Sequence, residues 1–115
     1  MNLNAFMLDW TMDDYDGLKR ALADAGIAFE TADDSPHIRA AIPYERLDEA
    51  ASLIRQHLNA PFNYVDIQYP ALKRTVIVFR ERVFMLASRD ESERAKQWAI
   101  AQGLPPEQAD WATSF

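Results

Sequence analysis

The chain contains no cysteine. That removes disulfides, thiolate metal ligands and cysteine nucleophiles, and it fits a reducing cytoplasm, the expected compartment. Glycine is nearly as scarce: Gly17, Gly26 and Gly103 are the only three in 115 residues. Isolated glycines cannot build a Gly-rich phosphate loop, which argues against nucleotide hydrolysis and dinucleotide binding. Excess positive charge is also missing. Lys and Arg number 12 against 18 Asp and Glu, for a net charge of −6, so neither nucleic acid nor an anionic membrane is an expected partner. No apolar run approaches the roughly 20 residues needed to span a bilayer. The start, MNLNAFMLDW, lacks the basic flank and long apolar stretch of a secretory signal. No serine sits in a G-x-S-x-G elbow, and no catalytic residue, metal site or cofactor is expected.

What is present is a strict order of hydrophobic patterns. Residues 2–9 alternate as a strand with both faces apolar: Phe6, Leu8 and Trp10 on one side, Leu3, Ala5 and Met7 on the other. Thr11-Met12-Asp13-Asp14 reads as a helix start, followed by a helix to about Ala25 with the stripe Tyr15, Leu18, Leu22 and Ala25. Gly26 stops it. Strand-like runs at 27–31 and 37–42 flank the turn Asp33-Asp34-Ser35-Pro36. Pro43 opens a second helix with the stripe Leu47, Ala50, Ala51, Ile54 and Leu58. Residues 64–69 alternate again, and Pro70 ends that strand. Thr75–Ala87 reads as a hairpin broken at Arg80-Glu81-Arg82, Ser88-Arg89-Asp90-Glu91 as a capping box, and the next stretch as a helix to Gln102. Pro106–Ala112 reads as a short helix carrying Trp111.

Residues 1–115 are expected to form a single domain: a core over 1–70, then a hairpin and C-terminal helices over 71–115. The fold class expected is α+β. The β-α-β-β-α-β order of residues 1–70 resembles the ferredoxin-like, or α/β plait, fold. The stretch from Gly26-Ile27-Ala28-Phe29-Glu30 to Ile42-Pro43-Tyr44-Glu45-Arg46-Leu47-Asp48-Glu49-Ala50 looks like small bacterial regulatory or ligand-sensing modules of that fold. The resemblance implies two helices on one face of an antiparallel sheet, extended by the C-terminal hairpin and helix. A second resemblance exists: Val65-Asp66-Ile67-Gln68-Tyr69-Pro70 resembles the phosphoacceptor strand of receiver domains, which implies a parallel sheet and a degenerate signalling adaptor. Only Asp9 stands where receivers carry paired acids, and no late Lys-Pro follows.

Most specific uses of a plait fail on particular residues. The strand at 37–42 has no aromatic on which to stack a base. No C-x-x-C exists for a metal chaperone, and Trp10–Asp14 holds no Arg to cradle an acyl phosphate. His57 suits the end of the second helix, and His37 the turn beside Asp33 and Asp34. Asp9, Asp13 and Asp14 suit a helix N-terminus as well as they suit a divalent cation. Acids are dense over 9–34 and bases over 73–96, a two-ended pattern that is either a solvated surface or a basis for association.

The outer sheet face remains as the working surface, with His37, Arg39, Tyr64, Asp66 and Gln68 as its candidate ligand- or partner-binding residues. If helices cover Phe6 and Leu8, that face also carries an apolar strip of Leu3, Ala5 and Met7 that needs a cover. The chain's own 75–115 segment, a second copy and a ligand are the three possible covers. The expected function is a non-enzymatic binding or regulatory module, as a homodimer or with another protein or a small molecule. The alternative is a small enzyme using Asp66, His37 and Arg39 as acid, base and anion clamp.

Overall fold

A computed structural model describes residues 3–32 and 35–115. The elements are β1 (Ala5–Leu8), a 3-10 turn (Asp9–Thr11), α1 (Tyr15–Asp24), β2 (Phe29–Ala32), β3 (Ser35–Ala40), a 3-10 turn (Tyr44–Arg46) leading into α2 (Leu47–Arg55), and β4 (Tyr64–Tyr69). A 3-10 turn (Pro70–Leu72), β5 (Arg74–Phe79), β6 (Val83–Leu86), α3 (Arg89–Ala101) and a last 3-10 turn (Pro106–Gln108) complete the described chain. The six strands form one open sheet in the order β2-β3-β1-β4-β5-β6, antiparallel at every junction. The architecture is therefore α+β. The receiver-like alternative requires parallel strands, and none of these pairs is parallel.

Two apolar cores lie on opposite faces of the sheet. On the inner face, Leu18 and Leu22 of α1 and Leu47, Ala50, Ala51 and Ile54 of α2 pack on Ala5, Met7, Ile38, Ala40, Val65, Ile67, Val76 and Val78. On the outer face, Ala95 and Ala99 of α3, with Leu104, Ala109 and Trp111, pack on Ile77, Phe79 and Leu86. The alternation of β5 places Val76 and Val78 in one core and Ile77 and Phe79 in the other. This strand is apolar on both faces because both are covered.

β1 turns over relative to the expectation. Ala5 and Met7 point into the inner core, and Phe6 points outward with 38% of its surface exposed. The alternation in residues 2–9 is equally apolar on both sides, so composition alone does not choose a face. The register chooses it: Ala5 pairs with Ala40 and Met7 with Ile38. Asn4 anchors that register, its amide nitrogen donating to the Ile42 carbonyl (3.0 Å) and its amide oxygen accepting from the Ile42 N–H (2.8 Å). The expected strip of Leu3, Ala5 and Met7 therefore does not exist on the outer face.

Two helix boundaries also move. Asp14, not Thr11, caps α1: it takes a left-handed backbone (φ 51°) and its carboxylate accepts from the Gly17 N–H at 3.1 Å. Thr11 instead donates its hydroxyl to the Leu8 carbonyl at 2.7 Å. The short helix expected over 106–112 is one 3-10 turn ending at Gln108, and Trp111 lies beyond it. The capping box at Ser88 is as expected: the Ser88 hydroxyl accepts from the Glu91 N–H (3.2 Å), and the Glu91 carboxylate accepts from the Ala87 N–H (3.1 Å). The α1 and α3 ends close on Gly26 (φ 73°) and Gly103 (φ 115°), each followed by an N–H bonded back five residues, Ile27 to Leu22 and Leu104 to Ala99. The Asp33-Asp34 part of the expected turn lies outside the described residues.

Candidate functional site

One transverse row crosses all six strands on the outer face. Glu30 pairs with Arg39, Arg39 with Phe6, Phe6 with Asp66, Asp66 with Ile77 and Ile77 with Phe84. From β5 onward the row is apolar and lies under α3 and the C-terminal segment. From β2 to β1 it carries an exposed Glu30, an exposed Arg39 and a partly exposed Phe6. The Arg39 guanidinium lies 5.8 Å from the Phe6 ring centre, and the His37 ring lies 4.9 Å from it. Phe6 is thus the hydrophobic centre of the open half.

The five sequence-predicted residues all reach this face, but they divide into two groups. Tyr64 and Gln68 hold the C-terminal segment down. The Tyr64 hydroxyl donates to the Gln108 carbonyl at 3.0 Å, and its ring packs edge-on against Trp111 with centres 5.3 Å apart. The Gln68 amide nitrogen donates to Asp66 (2.8 Å) and to the Ala112 carbonyl (3.0 Å). Its amide oxygen accepts from the hydroxyls of Thr75 and Ser114, both at 2.7 Å. Thr75 also accepts from the Ser114 N–H, and the Trp111 indole N–H donates to the Ser92 hydroxyl at 3.0 Å. His37, Arg39 and Asp66 form the second group, around Phe6.

Of the residues in the acid, base and anion-clamp alternative, Arg39 and Asp66 border one depression, and His37 does not line it. Arg39 and His37 stand on β3, Asp66 stands on β4, and β1 runs between them. Two strand spacings separate them by about 10 Å, and the Phe6 ring occupies the gap. Among the described residues, no group of three or more His, Asp and Glu side chains is arranged to hold a metal ion.

A cleft of about 360 Å³ opens where the open half meets the C-terminal segment. Phe6 and Leu8 of β1, Trp10 of the first 3-10 turn, and Tyr64 and Asp66 of β4 form one side. Leu104, Glu107 and Asp110 form the other. Trp10 is 64% exposed at its rim, and the Asn59 side chain fixes the Trp10 backbone by donating to its carbonyl at 2.9 Å. Burial pushes the Tyr64 hydroxyl up to about 12, and the negative charges of Asp110 and Asp66 add to the shift. The phenol is therefore neutral over the physiological range and serves as a hydrogen-bond donor. A second depression of about 290 Å³ adjoins the first on the far side of Phe6 and Asp66 and is lined by Arg39.

Sequence reasoning missed Phe6 and Trp10 as surface residues, since both read as core or cover. The signal available was Asn4, whose amide suits a backbone clamp at a strand end and would have fixed the parity of β1. No protein-family model matches the chain, and neither the curated proteins nor the solved structures contain a match.

Proposed function

We propose that this chain is a non-enzymatic binding module that takes a small ligand in the cleft between the open half of its outer sheet face and its C-terminal segment. The observation that carries this reading is the pair of exposed aromatics, Phe6 and Trp10, at the wall and rim of a concave site bordered by polar groups. Large apolar side chains left in water beside a concavity are a usual mark of a binding surface. The strand order β2-β3-β1-β4, with α1 and α2 on one face, supports reading residues 1–70 as a ferredoxin-like plait, a fold whose open face is available for ligands. A cytoplasmic regulatory role accords with that reading.

The test is a fragment screen followed by amide chemical shifts. Bound fragments are expected to move Phe6, Trp10, Tyr64 and Leu104 together, and Trp10→Ala is expected to abolish those shifts without changing the melting curve. Fragments that cluster on any other surface would refute the reading.

A second reading, self-association through the same half, rests on the exposed row Glu30–Arg39–Phe6–Asp66. The row carries both charge signs around an apolar centre, so a two-fold copy could pair Arg39 with Asp66 of its neighbour. A light-scattering mass that doubles with concentration, and reverts in Arg39→Glu, is the expected signature. A monomeric mass at all concentrations eliminates it.

A further inference from the structure

The cleft's walls point to the charge of its occupant. Three aromatic rings, Phe6 and Trp10 from the stretch of β1 and its 3-10 turn and Tyr64 from β4, border the same space. Three carboxylates, Asp66, Glu107 and Asp110, border it too, and among the described residues no Lys, Arg or His lines it. Aromatic faces carry negative potential and attract cations, most strongly where water is partly excluded. Carboxylates at the rim add to that attraction and leave an anionic ligand unfavoured. From this combination we infer that the cleft binds an organic cation, an alkylammonium or guanidinium group on a small molecule. This rests on the reading of the cleft as the binding site and deepens it by fixing the ligand class.

The chain already shows this chemistry next door. Arg39 stacks over the Phe6 ring from the side of the neighbouring depression, at 5.8 Å from its centre. The Phe6 ring thus already takes one guanidinium of the protein, and acids border the cleft that it also lines. Asp66 gives one oxygen to the Gln68 amide at 2.8 Å. Glu107 and Asp110 are exposed at the rim, where they can meet a cation without unfolding anything around them.

The experiment titrates tetramethylammonium and methylguanidinium, with tert-butanol as the uncharged match and sodium chloride to hold ionic strength. The indole N–H signals of the three tryptophans are followed. The Trp10 signal is expected to move with both cations and to stay still with tert-butanol, while Trp111, buried and with its indole N–H bonded to Ser92, stays still throughout. Glu107→Gln with Asp110→Asn is expected to weaken cation binding by roughly two- to fivefold per group removed. Glu107→Gln alone, at an exposed position, is expected to leave the melting curve unchanged. Equal shifts with tert-butanol would overturn the cation assignment and leave the cleft as a binding site. Cations that leave Trp10 unmoved would overturn the assignment too, and the fragment screen would then decide separately whether the cleft binds anything.

Discussion

The two halves of the outer sheet face use the same strands' pleat for opposite ends. Over β4, β5 and β6 the chain folds back on itself, and α3 with residues 104–111 seals Ile77, Phe79 and Leu86 from water. Over β2, β3 and β1 the outer face carries Glu30, Arg39, His37, Phe6 and Leu8, and none of these belongs to either buried core. The transverse row changes from apolar to charged between Ile77 and Asp66. Burial therefore decides the composition strand by strand, and the large apolar residues on the open side, Phe6 with Leu8 beside it, are the exception that needs a use.

The strongest way to break the comparison is to truncate the same residue type on each side. Phe79 is fully buried and packs on Tyr64, Phe84, Trp98 and Trp111, with ring centres 4.9 to 6.3 Å away. Phe79→Ala is expected to cost about 3–5 kcal/mol in urea denaturation. Phe6→Ala, on a half-open site, is expected to cost about 1 kcal/mol or less. Comparable losses would mean that the open half is covered in solution, and the self-association reading would gain.

A smaller effect tests what keeps the covered half covered. Gln68 bonds to Asp66, Thr75, Ala112 and Ser114, so Gln68→Ala removes the link between β4 and the C-terminal segment. A loss of about 1–3 kcal/mol is expected. Amide exchange should speed up for residues 109–115 and remain slow in α1 and α2. Uniform acceleration across the chain would show that the segment is not a separable cover.

The pH dependence follows the same boundary. Tyr64 and Tyr69 are both raised from about 10 to about 12, chiefly by burial. A folded pKa above the unfolded one means that the folded state holds its proton longer. Stability from this source is complete below pH 10 and is lost as the pH climbs through 12. Tyr64→Phe is expected to lower stability at pH 7, since it loses the bond to Gln108, and to reduce the decline between pH 10 and 12. An unchanged alkaline slope would place that titration elsewhere.

Much of this architecture was legible because its signals are local. The stripes of α1 and α2, the Ser88 box, the glycine stops and the hairpin at 74–86 each lie within a few neighbouring residues. The face of β1 was not legible, because its alternation is apolar on both sides and only pairing with β3 breaks the tie. His37, Arg39, Tyr64, Asp66 and Gln68 were readable as outer-face residues from the parity of β3 and β4. That Tyr64 and Gln68 serve the C-terminal segment was not readable, since their partners lie some 44 to 46 residues away. The cleft was hidden for the same reason: its two sides are remote in sequence.

The smallest expected effect contrasts the two tyrosines of β4. Tyr64 faces outward and donates a bond, whereas Tyr69 faces the inner core, is 7% exposed, and its hydroxyl makes no hydrogen bond among the described residues. The Asn4 amide is its near polar neighbour, but that amide is engaged at both ends with the Ile42 backbone. A buried donor without a partner costs desolvation free energy and returns nothing. Tyr69→Phe keeps the ring and its edge-on packing against Tyr44, with centres 5.2 Å apart, while deleting the orphan oxygen. Stability is therefore expected to stay level or to rise by up to about 1 kcal/mol, opposite in sign to Tyr64→Phe. A loss of about 1 kcal/mol or more in thermal denaturation would show that the Tyr69 hydroxyl has a partner in solution, with Asn4 or an ordered water supplying it.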